Sequence, residues 1–165
     1  MMLFAGLYGL RVCDIRTMKL SSIDWKRRLI IINQYKTKRY LELPLIQEVL
    51  LAMLDYIKNS RPTTTDPHIF IRQRSPHAPY SENNRFTNKI SEYFKKAEIP
   101  TKDKRSGLHS MRHSLATSLL ADGVQINDIA GILGHASPQT TAVYIWSDLE
   151  QLRNAAMEVN PYDKR

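Results

Sequence analysis

The sequence holds one cysteine, Cys13, among its 165 residues. That excludes an internal disulfide and any multi-cysteine zinc ribbon, and a lone thiol fits a reducing cytoplasm. Long apolar runs are missing as well. Nothing approaches the ~18 residues of a membrane-spanning helix, and no signal peptide is visible. The opening Met1-Met2-Leu3-Phe4-Ala5-Gly6-Leu7-Tyr8 is too short to span a bilayer. It reads as the tail of a helix that begins upstream, and the chain as a fragment of a longer protein. No internal repeat or low-complexity segment appears. Acidic residues are scarce relative to basic ones, 16 against 24, for a net charge of +8 and a pI near 9.7. The excess points to a polyanionic partner, nucleic acid before membrane. The length suits one domain, residues 1–165, and 42% apolar residues suffice for an ordinary core.

Periodicity predicts a mainly α domain with a small antiparallel β-sheet, an α+β fold. Residues 2–8 read as helix, ended by Gly9. A short helix over 12–18 turns Ile15 and Met18 inward. The β-branched run Leu29-Ile30-Ile31-Ile32 makes a strand of 25–33, beside the basic turn Lys26-Arg27-Arg28. Residues 39–43 alternate, with Leu41 and Leu43 on one face. The two strands make an antiparallel pair with Lys36 in or beside the turn. A helix over 46–59 places Val49, Leu50, Met53, Leu54 and Ile57 at helical spacing. Residues 60–80, with Pro62, Pro67, Pro76 and Pro79, read as a loop around one short strand, His68-Ile69-Phe70-Ile71. A helix of 81–97 follows, with Phe86, Ile90, Tyr93 and Phe94 inward. Further helices are expected over 109–121, 125–133, 138–145 and 148–158.

The chemistry lies in scattered polar residues. Gly9-Leu10-Arg11 stands near the start, and Lys36 follows Arg11 by 25 residues. His109-Ser110-Met111-Arg112-His113 comes later, then Leu133-Gly134-His135, and Tyr144 stands nine residues beyond His135. Two arginines, a lysine, two histidines and a tyrosine suit attack by a tyrosine on a phosphodiester. Such a reaction gathers negative charge on the non-bridging oxygens. Arginine is always protonated and its planar fork matches phosphate. Arg11 and Arg112 can clamp both oxygens and favour the transition state. A phenol with a pKa near 10 costs about 4 kcal/mol to deprotonate at pH 7, so Tyr144 needs a base or a positive field. His109 and His135 are the candidates. The departing oxygen leaves readily only when protonated, which Lys36 on a turn can do; Lys38 stands two residues away.

In that order and at those spacings, the chain resembles the tyrosine recombinase (phage-integrase) family over essentially its whole length, as that family's C-terminal catalytic domain. The resemblance implies that Arg11, Lys36, His109, Arg112, His135 and Tyr144 are catalytic. His109 would be the proton acceptor and His135 a phosphate ligand, and the family spacing favours Lys36 over Lys38. It implies a 3′-phosphotyrosyl intermediate, no cofactor and no metal, double-stranded DNA as partner, and a homotetramer on that DNA. It also implies a separate N-terminal DNA-binding domain, which these residues do not include. The setting would be cytoplasmic and nucleoid-associated. Asp14 falls where the family has an acidic residue and would hold Arg11 or nearby backbone. His113, beside the motif, would cap or pack, or touch the active site from behind the reacting residues. Tyr8 stands where many relatives have threonine.

Candidate DNA contacts are Lys38 and Arg39, Arg72 and Arg74, and Lys102, Lys104 and Arg105, together with the Lys26-Arg27-Arg28 turn. Leu149, Leu152, Ala156 and Val159 form an apolar stripe for docking on this domain or a neighbouring protomer, with Trp146-Ser147-Asp148 as hinge. Other readings stay open at this point. One is a non-catalytic helix-turn-helix module around Gly123, and another is a type IB topoisomerase. A metallohydrolase built on His109, His113 and His135 fits poorly, because Ser110 stands where the metal helix carries its glutamate.

Overall fold

The computed structural model of the protein describes residues 1–84, 86–100 and 107–134. Six helices and a three-stranded sheet account for most of them. α1 (Met2–Leu7) buries Phe4 and Ala5. Gly9, in a left-handed conformation at φ 62°, turns the chain into α2 (Val12–Thr17), which buries Asp14, Ile15 and Arg16.

The sheet is antiparallel, in the order β1 (Ile23–Asp24), β2 (Leu29–Asn33), β3 (Tyr40–Pro44). The expected β2–β3 pair is present, with Leu29 opposite Pro44 and Asn33 opposite Tyr40. The residues from 25 to 28 form a turn rather than the start of a strand, and β1 pairs on the far side of it. Ile30 and Ile32 point into the core. On β3, Leu41 and Leu43 are half-buried while Tyr40 and Glu42 are exposed, as alternation requires.

α3 (Gln47–Asp55) buries Val49 and Met53 and runs on into a π-helical turn, Tyr56–Ser60. Tyr56 faces inward, where its ring meets Phe70 at 5.5 Å and its hydroxyl accepts the Ile71 N–H at 3.2 Å. Leu54, expected inside, is 46% exposed, because Val49 and Met53 fill the inner face.

The strand expected at 68–71 does not form. Its residues make single bridges only, Lys19 with His68 and Ile71 with Pro79. The carbonyls are already taken: Arg61 donates from Nη2 to Asp66 O at 2.6 Å and to His68 O at 2.9 Å. Pro67 and Pro79 lack the N–H donors that would extend a ladder.

α4 (Thr87–Lys96) starts later than the expected 81. Phe86 sits left-handed at φ 57°, with its N–H held by Asn84 Oδ1 at 3.0 Å, and a helix cannot pass through that conformation. Ile90 is buried and Phe94 half-buried, but Tyr93 is 50% exposed, contrary to the inward position expected.

α5 (Leu108–Ala121) and α6 (Ile126–Leu133) are joined by a turn in which Gly123 is left-handed. A small apolar cluster of Ala116, Ile129 and Leu133 holds the pair together, apart from the main core. α5 also packs along α1, where Gly6 leaves room for the Met111 methyl. The helices expected over 138–145 and 148–158, and the apolar stripe with its hinge, lie outside the described residues.

Candidate active site

The end of α6 is the focus. A helix C-terminus leaves carbonyls without partners and carries the negative end of the helix dipole, so it favours cations. Two arginines from distant segments occupy this one. Arg112, on α5 and 4% exposed, donates from Nη2 to Leu133 O at 2.9 Å and from Nη1 to Gly9 O. Arg11, the residue that leads into α2, donates from Nη2 to Gly134 O at 3.0 Å. Its Nη1 is buried and has no hydrogen-bond partner among the described residues.

Both motif glycines are required by this packing. Gly9 and Gly134 have φ of 62° and 65°, which favours glycine. A Cβ on Gly9 would lie 2.3 Å from Leu133 Cδ2, and one on Gly134 would lie 2.3 Å from the Gln34 carboxamide. Gly-Leu-Arg and Leu-Gly are thus two halves of one contact.

α5 sets the remaining histidine geometry. Its start is fixed by Ser110, whose hydroxyl donates to Gly107 O at 2.7 Å and accepts the Gly107 N–H at 3.2 Å. His109 and His113, four residues apart, share a face. Their Nε2 atoms are 3.0 Å apart and the rings meet edge-on. One ring donates and the other accepts across that contact.

The Lys36 turn reaches the same place through Asp14 and Gln34. Asp14 is 1% exposed, and its Oδ1 accepts the Tyr35 N–H at 2.8 Å. It therefore holds neighbouring backbone, one of the two roles expected of it. Inside the turn, Gln34 N–H donates to Arg39 O at 2.8 Å and Lys38 N–H to Gln34 O at 2.9 Å. Lys36 is exposed at the tip. The Lys38 ammonium lies over the Tyr35 ring, 4.9 Å from its centre. Cys13, beside Asp14, has its thiol pKa pushed up, first by burial and then by the Asp14 charge.

The family model described as the phage integrase family matches residues 1–151. The chain belongs to the phage integrase family. It is similar to the putative integrase/recombinase y4gC of Sinorhizobium fredii (strain NBRC 101917 / NGR234), at 36% identity over 152 residues, covering 92% of this chain and 77% of that protein. Among solved structures, the crystal structure of XerA recombinase superposes with a TM-score of 0.70 at 26% identity, over 93% of this chain and 54% of that one. XerH site-specific recombinase bound to palindromic difH substrate, in a post-cleavage complex, shares the fold at a TM-score of 0.65 and 21% identity, over 94% of this chain and 43% of that one. The chain therefore spans about half the length of these structural relatives.

Among the positions expected from the sequence, the fold of this family member joins Arg11, Arg112, Asp14 and the Lys36 turn around the end of α6, with His109 and His113 on α5. His135 and Tyr144 lie outside the described residues, as do Lys102, Lys104 and Arg105. Lys38 and Arg39 are exposed on the Lys36 turn, whereas Arg72 and Arg74 are exposed on a separate loop. Arg27 in the β1–β2 turn pairs with Glu42 at 3.6 Å. No described helix is long and apolar enough to cross a membrane.

Sequence reasoning missed three residues. Gln34 is buried between the Lys36 turn and Gly134. Arg16 is buried and donates to Glu82 O at 2.7 Å. Tyr8, noted only as a departure from the family, donates its hydroxyl proton to Pro44 O at 2.6 Å and accepts the Ile46 N–H at 3.1 Å. Burial raises its phenol pKa. The Gly134 contact of Gln34 and the partners of Arg16 and Tyr8 are remote in sequence, so only the residue type hinted at a role.

Proposed function

We propose that the chain is the catalytic domain of a tyrosine site-specific recombinase acting on double-stranded DNA. The reading rests on one observation: guanidiniums from Arg11 and Arg112 are seated on the adjacent carbonyls of Gly134 and Leu133. Two fixed cations side by side are what a phosphodiester needs as charge builds on its non-bridging oxygens, and donors placed beforehand need no rearrangement during reaction. Arg11 Nη1, which has no partner among the described residues, would be a donor for one of those oxygens.

Tyr144 attacks the phosphorus as its proton passes to a histidine, His109 in this reading, with His135 on the phosphate. The bond to the 5′-oxygen breaks, and Lys36 supplies the proton that lets it leave as a hydroxyl. The exposed Lys36 suits this role better than Lys38, whose ammonium lies on Tyr35. The product is a 3′-phosphotyrosyl ester. An incoming 5′-hydroxyl reverses the step and joins a new strand. The ester conserves the bond energy, so the exchange requires neither ATP nor a metal. Lys38, Arg39, Arg72, Arg74, Lys102, Lys104 and Arg105 would contact the DNA backbone. The protein would work on cytoplasmic, nucleoid DNA, as a homotetramer joined through its C-terminal segment, with a separate DNA-binding domain completing the grip. A helix-turn-helix reading is disfavoured because the exposed α6 residues Asn127, Asp128, Gly131 and Ile132 include no cation for phosphate.

The test is covalent capture. The protein and its Tyr144→Phe variant are mixed with a pool of nicked suicide duplexes carrying a randomised core, in EDTA, and run on a denaturing gel. A shifted band from the wild type alone supports the reading and yields the cleaved sequence. Duplex binding without any adduct, in this chain and in the full-length protein, overturns it.

A further inference from the structure

Gln34 is fully buried, with an exposure of 0%, although it sits two residues before the exposed Lys36. Its Oε1 accepts a hydrogen bond from the Thr37 hydroxyl. Its Nε2 is buried with no partner among the described residues. Its carboxamide lies flat against Gly134, since a methyl there would come within 2.3 Å of both Nε2 and Oε1. Gly134 is also the residue whose carbonyl seats Arg11, and the next residue is His135.

A buried amide nitrogen with no partner among the described residues is unfavourable, and an apolar side chain of the same shape would sit among them at less cost. Packing among the described residues therefore does not explain a glutamine at this point. What the carboxamide does is span two places: it grips the turn through Thr37 and rests on the α6 terminus that seats the arginines. A lysine acting as general acid must meet the leaving oxygen within hydrogen-bond reach while the arginines hold the phosphate. Misplacement of a catalytic group by an ångström lowers the rate severely.

We propose that Gln34 is a positioning residue that sets the distance between Lys36 and the arginine clamp. This rests on the recombinase reading above. Gln34 touches no reacting atom. It acts through the turn, so its loss impairs leaving-group protonation and spares nucleophilic attack and phosphate binding.

A substrate with sulfur in place of the 5′-bridging oxygen separates these steps. Attack by Tyr144 forms the P–O bond and breaks the P–S bond. The sulfur departs with the electron pair as a thiolate and needs no proton. The duplex captured by the wild type is made in both forms. Gln34→Met keeps the volume and removes both polar atoms. Thr37→Val breaks the same hydrogen bond and leaves the Gln34 side chain in place. On the oxygen duplex, Gln34→Met is expected to slow adduct formation about 10-fold or more, with Thr37→Val less affected. On the sulfur duplex both are expected within about 3-fold of the wild type, since the protonation step is bypassed. An equal defect on both duplexes, or wild-type speed on the oxygen duplex, overturns the proposal.

Amide hydrogen exchange gives an answer that does not depend on activity. Gln34→Met should speed exchange at Tyr35 and Lys38 and leave α3 unchanged. Unchanged exchange in the turn overturns the proposal. Duplex binding without adduct, in this chain and in the full-length protein, refutes the recombinase reading, and the exchange result then decides whether Gln34 holds the turn.

Discussion

The arginine clamp and the Lys36 turn serve neighbouring places and are built in opposite ways. In the clamp, Arg112 is almost wholly buried, two left-handed glycines are packed to contact, and the guanidiniums are fixed on backbone carbonyls. The turn exposes its lysine at the tip and is held by a few bonds at its base, from Asp14 and Gln34. Groups that stabilise charge work best when already in place. In the proposed reaction Lys36 must approach the leaving oxygen as proton donor, and a tether at the base of the turn leaves its side chain exposed for that. Stability is thus concentrated in one region, while the other can change with little effect on folding.

Four variants would break or sharpen that contrast. Gly9→Ala should be the most damaging, at about 2–5 kcal/mol, because the left-handed backbone and a methyl 2.3 Å from Leu133 Cδ2 act together. Thermal or denaturant unfolding reads it, and a loss under about 1 kcal/mol would mean the clamp is softer than its packing suggests. Arg112→Lys keeps the charge but cannot span Gly9 O and Leu133 O, and should lose about 2–3 kcal/mol by the same assay. Tyr8→Phe leaves Pro44 O and the Ile46 N–H without their shared hydroxyl, for about 1–2 kcal/mol.

Lys36→Ala should change stability by less than about 0.5 kcal/mol. Covalent capture on the oxygen duplex should nevertheless fall by about 10²–10⁴-fold. If Lys38→Ala instead produced that loss and Lys36→Ala did not, the assignment of the general acid would move to Lys38.

The sequence made the clamp legible because its motifs carry uncommon requirements. Glycine beside arginine, and glycine closing a helix, mark backbone that other residues resist. The β2–β3 pair was legible from alternation and the basic turn between. The strand expected at 68–71 failed because its apolar run says nothing about Arg61, which takes the carbonyls of Asp66 and His68. α4 was expected too early because periodicity does not register the left-handed Phe86. Gln34 was invisible for another reason: its meaning depends on Gly134, a hundred positions along the chain, and a glutamine in a polar turn looks like any other surface residue.

Seating both guanidiniums on the last carbonyls of α6 makes that helix a timing element. Each residue advances a helix by about 100°, so one residue inserted or removed within α6 would swing Leu133 O and Gly134 O out of phase with Arg112 and Arg11. The turn before it has no such restriction, since Gly123 has open space around it. Length variation in this part of the molecule should therefore collect at that turn and leave the count of residues in α6 untouched.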